Sequence, residues 1–206
     1  MHRSSIFPTA WIAVCAAAVA GAAAGPAPEP AAPQEPPSAY AVIGRLREID
    51  ADFLRSAALS GKEEVELGRL AAARSLREEL RSFAEHMLDD HGRGNQRLAE
   101  LASTKGIALP DRLDARRQAE LERLSRLSGD EFDRAYAKAM ISEHEADVRE
   151  FQQQSATAHD VDVQAWINAM LLSLEEHREM IHQIARDMET VARKPAGPAP
   201  LPPIGR

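Results

Sequence analysis

Cysteine is almost missing from this sequence. The single one, Cys15, lies in an N-terminal apolar stretch. The folded part therefore has no disulfide, no thiolate metal site and no cysteine nucleophile. Aromatic residues are also scarce, at 4%. That excludes an aromatic-rich β-sandwich and a base-stacking nucleic-acid platform. No lysine- or arginine-rich block offsets a formal charge of −7. Nucleic-acid binding through a basic patch is excluded on that ground. Strand-like alternation of useful length is absent, as are a glycine-rich phosphate loop, a nucleophile elbow and a dinucleotide fingerprint. No catalytic residue is assigned, and an enzymatic reading, a metal-dependent oxidoreductase such as an oxidase or peroxidase, ranks below binding.

What is present is helical composition. Hydrophobic residues make up 44% of the 206 and charged residues 28%, and alanine, leucine, glutamate and arginine dominate the middle of the chain. The ends differ. Residues 1–24 have the layout of a secretory signal peptide: His2 and Arg3, an apolar stretch, then small residues that allow cleavage after Ala20 or Ala24. The apolar stretch is alanine-heavy and interrupted by Pro8, which disfavours a stable membrane span. A lipid on Cys15 is disfavoured by the bulk of Val14 before it. An exported, periplasmic or other cell-envelope location is expected. Residues 25–39 read as an extended proline- and alanine-rich linker, and 194–206 as a similar tail. The domain proper is 40–193. Setting aside Glu29, Glu35, Arg3, Lys194 and Arg206 leaves it 30 acidic and 22 basic residues, a charge of −8.

Within that domain the 3.6-residue period predicts four long helices. The first spans about Asp50–Arg74, with Phe53, Ala57, Ser60, Leu67 and Ala71 on one face. Gly61 is a weak point in it, costing about 1 kcal/mol against alanine. The second spans about Leu76–Lys105, with Leu80, Phe83, Met87 and Leu98 inward and Gly106 as its stop. A short helix, Ala115–Leu127, belongs to a crossover connection. The third long helix starts at Ser128 with capping-box spacing to Glu131 and ends near Ala158. The fourth is capped by Asp160 and runs to Arg193. The expected fold is all-α: a ferritin-like, up-down-up-down four-helix bundle with a short extra helix in the helix 2–3 crossover.

Titratable residues on the inward faces then stand out. At 100° per residue, Glu64, His91, His144, Asp147 and His177 point inward. Glu63, Glu66, Glu176 and His182 point away, and His86 is peripheral. Counted from the turns near Ser75 and His159, taken to share one end, His91, His144 and His177 lie at about 24, 22 and 27 Å. Glu64 falls lower, at about 16 Å. Burying five such groups uncompensated is costly. Two explanations fit. Either they hold a transition metal, for which imidazole and carboxylate suit iron, manganese, zinc or copper, or they form a satisfied hydrogen-bond network. The network reading makes the chain a metal-free structural or interaction module whose acidic faces meet an envelope protein. Met87 and Met140, each one turn before a histidine, read as core fillers.

The segments EVELGRLAA (64–72), FAEHMLDDHGRGNQRL (83–98), KGIALP (105–110), SGDEFDRAYAKAMISEHEADVREFQ (128–152) and LEEHREM (174–180) resemble the bacterial domain-of-unknown-function family 4142 over about residues 48–190. Members are labelled exported or outer-membrane proteins. The resemblance implies a ferritin-like four-helix fold and family-type positions at Glu64, His91, His144 and His177. It implies no reaction. Di-iron ferritin-like proteins use Glu-x-x-His pairs. Here the order is reversed, His144-x-x-Asp147, so one metal or none is expected rather than a di-iron pair.

Overall fold

A computed structural model describes residues 39–193, with side chains described for 48–191. The expected signal peptide with Cys15, most of the linker and the tail lie outside the described residues. Five helices follow in order: α1 Ala39–Arg74, α2 Glu78–Thr104, α3 Ala115–Ser125, α4 Gly129–Thr157 and α5 Val161–Arg193. The fold is all-α, four long helices in a bundle plus the short α3 in the crossover. Among the described residues no helix is long and apolar enough to cross a membrane.

The boundaries follow the local chemistry. Helix α1 begins eleven residues before the expected Asp50, because Ala, Leu, Arg and Glu in 39–49 are good helix formers even without a stripe. Helix α2 ends where expected. Gly106 sits at φ 68°, its N–H donates to the Ser103 carbonyl at 3.1 Å, and the Ile107 N–H donates to the Ala102 carbonyl at 2.8 Å. That bond pattern closes a helix only when the residue after it takes a left-handed conformation. Asp160 caps α5 as expected, its Oδ1 accepting from the Asp162 and Val163 N–H groups.

Ser128 departs from expectation. It precedes α4 but makes no side-chain cap bond. Gly129 sits at φ 59°, so the first turn is not the regular one a capping box needs. The Ser128 carbonyl still accepts from Phe132 N–H at 3.3 Å.

Helix directions correct the up-down-up-down order. At one end, Arg77 in the α1–α2 turn pairs with Asp130 at the start of α4. At the other end, Asp50 near the start of α1 accepts from the His159 and Asp160 N–H groups in the α4–α5 turn, and Lys105 after α2 pairs with Asp160. Helices α2 and α4 therefore run the same way, and so do α1 and α5. The order is up-down-down-up. The physical reason is the crossover: residues 105–128, with α3 inside, return the chain to the end where α2 began. This is the single long connection of ferritin-like bundles. Helix α1 packs on α2 and α4, and α5 packs on α4 and α2, so every neighbouring pair of long helices is antiparallel.

Two apolar layers fill the bundle. One, at the α1–α2 turn, is built on Leu67, Leu80, Phe83, Phe132, Tyr136 and Ile181. The other, at the α4–α5 turn, holds Phe53, Leu54, Leu98, Phe151, Trp166 and Ile167. Each fully buried large side chain contributes about 1.5–3 kcal/mol. Gly61 is explained between them: a Cβ there would lie 2.1 Å from Asn95 Oδ1 of α2. Gly94 on α2 does the same for α5, where a Cβ would meet Met170 Sδ at 2.4 Å.

Asp50, 3% exposed, also accepts from Gln154 Nε2 at 2.9 Å. It ties α1 to the end of α4 and to the α4–α5 turn through three donors. Asp50→Ala leaves these donors unpaired and is expected to cost about 1–3 kcal/mol, a melting temperature lower by roughly 2–10 °C. Thermal denaturation followed by circular dichroism checks this. An unchanged midpoint would contradict it.

Candidate metal centre

The centre lies between the two apolar layers. With the helix directions known, heights can be counted from the end holding Asp50, Lys105 and Asp160. Glu64 is 14 residues from Asp50 and His91 14 from Lys105. His144 is 15 from His159 and His177 17 from Asp160. These correspond to about 21–26 Å. Glu64 thus belongs to the same level as the histidines. The expected offset came from counting α1 and α2 from the wrong end. The histidines escaped that error because they sit near mid-helix, where either end gives a similar height.

His91, His144 and His177 are 2%, 0% and 0% exposed. Each offers one donor atom, and the three lie within 4.8 Å of one another. Their ring centroids are 5.2–5.9 Å apart. The rings differ in what holds them. His91 Nδ1 is 2.9 Å from Glu64 Oε2. His144 Nδ1–H donates to the Met140 carbonyl at 2.9 Å. His177 Nε2–H donates to Asp90 Oδ2 at 2.9 Å. The other nitrogens, His91 Nε2, His144 Nε2 and His177 Nδ1, are buried without a hydrogen-bond partner.

Phe83 closes the centre on one side, its ring 6.3 Å from His144 and 6.2 Å from His177.

Glu64, 1% exposed, places Oε1 3.6 Å from His144 Nε2, and that oxygen has no hydrogen-bond partner. Asp147, 9% exposed, accepts from Ser60 Oγ at 2.7 Å and lies within electrostatic reach of Glu64 and His91. The structure therefore gathers Glu64, His91, His144 and His177 tightly and sets Asp147 beside them. The compact donor group is the three histidines.

Burial dominates the electrostatics. It pulls His91 down to about 4, with Asp147 and Asp90 opposing. It pulls His144 down to about 3, reinforced by the other two histidines, and His177 to about 4. Burial also pushes Glu64 up to about 8, helped by Glu63, and Asp147 up to about 7, helped by Glu64. The imidazoles are thus held neutral. Neutral imidazole has a single lone pair, and the bonds to the Met140 carbonyl and Asp90 leave it on Nε2 of His144 and Nδ1 of His177. Histidines fixed by a carboxylate or carbonyl on one nitrogen, with the other free, are the arrangement found around bound metals.

Four features escaped sequence reasoning. Asp90 is one residue from His91 and so about 100° off the α2 stripe; only the position of α5 makes it His177's partner. Glu63 does not point away: it is 2% exposed, with Arg117 Nε at 3.1 Å and Arg116 at 3.8 Å. Helix α3 covers that face, which no period within α1 can reveal. Glu143 is half-buried and pushed up to about 9 by burial, with Glu63 and Glu64 adding to it. Tyr136 was legible as core, but its hydroxyl is buried without a hydrogen-bond partner. Glu176, His86 and His159 are exposed, and Glu66 is part-exposed. His182 is part-exposed and pairs with Glu145 at 3.1 Å.

Nitrogen NMR of the metal-free protein checks the ring assignments. His144 is expected as the Nδ1–H form and His177 as the Nε2–H form. Since their ionisation is shifted down to about 3 and 4, both should stay neutral from pH 7 to about pH 5, where a free histidine is largely charged. Protonation of either ring near pH 6.5 would contradict the geometry.

No curated protein is similar to this chain in sequence. Two solved structures share the fold. One is a DUF305 fragment from Deinococcus radiodurans, 13% identical, with a TM-score of 0.60, covering 67% of this chain and 95% of its own. The other, from Streptomyces coelicolor, is described as a "putative secreted protein DUF305". It is 16% identical, with a TM-score of 0.59, covering 68% of this chain and 92% of its own. The family model for the domain of unknown function DUF4142 matches residues 35–184. Glu64, His91, His144 and His177 all fall within that match, and the chain belongs to the DUF4142 family.

Proposed function

We propose that this is an exported cell-envelope protein whose bundle core binds one transition-metal ion. His91, His144 and His177 would hold the ion, and Glu64 and Asp147 would supply negative charge beside it. One observation carries the reading: three buried histidines bring one donor atom each within 4.8 Å of the others, and each ring has one nitrogen anchored and one without a hydrogen-bond partner. Leaving a buried polar atom unpaired costs about 1–3 kcal/mol. An ion between the rings removes that cost three times over.

A nitrogen-rich donor set with nearby carboxylates suits zinc, copper, iron or manganese. Metal binding favours neutral imidazole and ionised carboxylate. The ion would therefore bring Glu64 and Asp147 back toward their charged forms. The role we assign to such a buried site in the envelope is metal handling or stress protection. The signal-like segment 1–24 supports export. So does the fold shared with a protein described as secreted.

Elemental analysis tests this on mature protein made without a histidine tag, beside a His91→Ala/His144→Ala variant. About one ion per chain is expected in the parent and none in the variant. The parent should also melt higher with its metal: at 100-fold excess over the dissociation constant the stabilisation is about 2.7 kcal/mol. A parent that neither retains nor takes up metal, and whose melting ignores chelator, would overturn the proposal.

A further inference from the structure

The three anchors of the histidine rings differ in depth. Glu64 is 1% exposed, and the Met140 carbonyl meets His144 in a fully buried bond. Asp90 is different: its side chain is 18% exposed. His177 therefore stands between a carboxylate that touches solvent and the inner donor group, with Nε2 outward and Nδ1 inward.

Outside it stands another histidine. His86 is exposed and lies four residues before Asp90 on α2, so the two share a helix face. Its ring centroid is 6.4 Å from that of His177, at 88°. That places it in packing contact with His177, slightly farther than the 5.2–5.9 Å between the rings of the inner group. Imidazole and carboxylate accept the same class of divalent transition ions. Asp90 is also gripped by Arg93, which binds Asp89 as well. Arg93 is 55% exposed, and such surface pairs are weak. It can release Asp90 and keep Asp89.

The opposite side of the centre is less open to a cation. There Glu63 lies under Arg116 and Arg117, so an approaching ion meets two guanidinium groups.

We infer that His86 and Asp90 form an outer docking site for a divalent transition ion on the α2–α5 face. The ion is then passed across the His177 ring to the inner histidines. The inference rests on the proposed metal centre and adds its route. His86 is a positioning residue for transfer and not a resident ligand. Arg93 holds the route shut until an ion takes its place on Asp90.

Rapid mixing of the metal-free full chain with Co²⁺ tests this, with visible absorption reporting uptake and a competing chelator reporting release. His86→Ala is expected to slow both by about tenfold or more and to leave the equilibrium affinity unchanged. His86 is exposed, so the substitution spares the fold. His182→Ala, which removes a histidine paired with Glu145, is expected to change neither rate. Arg93→Ala is expected to speed uptake. Unchanged rates in His86→Ala overturn the route. So does equal slowing in both histidine variants, or a loss of affinity without slowing. If the parent chain binds no Co²⁺ at equilibrium, the metal centre fails and the route fails with it.

Discussion

Three imidazoles are held in the middle of a helical bundle, away from water, with one donor atom of each within 4.8 Å of the others. Much of the structure serves that arrangement. Burial keeps the rings neutral. Asp90 and the Met140 carbonyl fix which nitrogen of His177 and of His144 carries the proton, and Glu64 holds the His91 ring. A charged ring here would meet a desolvation penalty and two neighbouring rings of the same sign. An ion would draw on the same lone pairs without disturbing the anchors.

The apolar layers above and below give the centre its position. Each layer draws side chains from all four long helices, so neither can slide without breaking core contacts. The rings are pinned in height by this packing and in rotation by their outer bonds. Close approach adds to it: Gly61 lets α1 meet Asn95 of α2, and Gly94 leaves room for Met170 of α5. Trp166 Nε1 donates to the Gly94 carbonyl at 3.3 Å, a further tie between α2 and α5 below the centre. A glycine that weakens an isolated helix here leaves room that the side-chain ends of Asn95 and Met170 fill.

Much of this was legible in the sequence, because helical phase depends only on counting. The inward direction of Glu64, His91, His144, Asp147 and His177 follows from 100° per residue, and all five are buried. The stops at Gly106 and Asp160 follow from turn and cap chemistry. What was not legible depends on where other helices go. The direction of α4 is set by the crossover, and a period within a helix carries no sign of it. That error displaced Glu64, which lies off-centre in α1, and spared the mid-helix histidines. Glu63 was misjudged because α3 lies over it, and Asp90 was missed because its partner is on α5. Ser128 had the spacing of a cap but not its geometry, since Gly129 takes a positive φ.

The central claim is that one ion sits where the three ring nitrogens converge. Anomalous diffraction at the metal's absorption edge, from crystals of the metal-loaded protein, tests it most directly. The account predicts a single strong peak in the core, bounded by His91 Nε2, His144 Nε2 and His177 Nδ1, with Glu64 beside it. A core without a peak, or a peak held only by surface carboxylates, would contradict it.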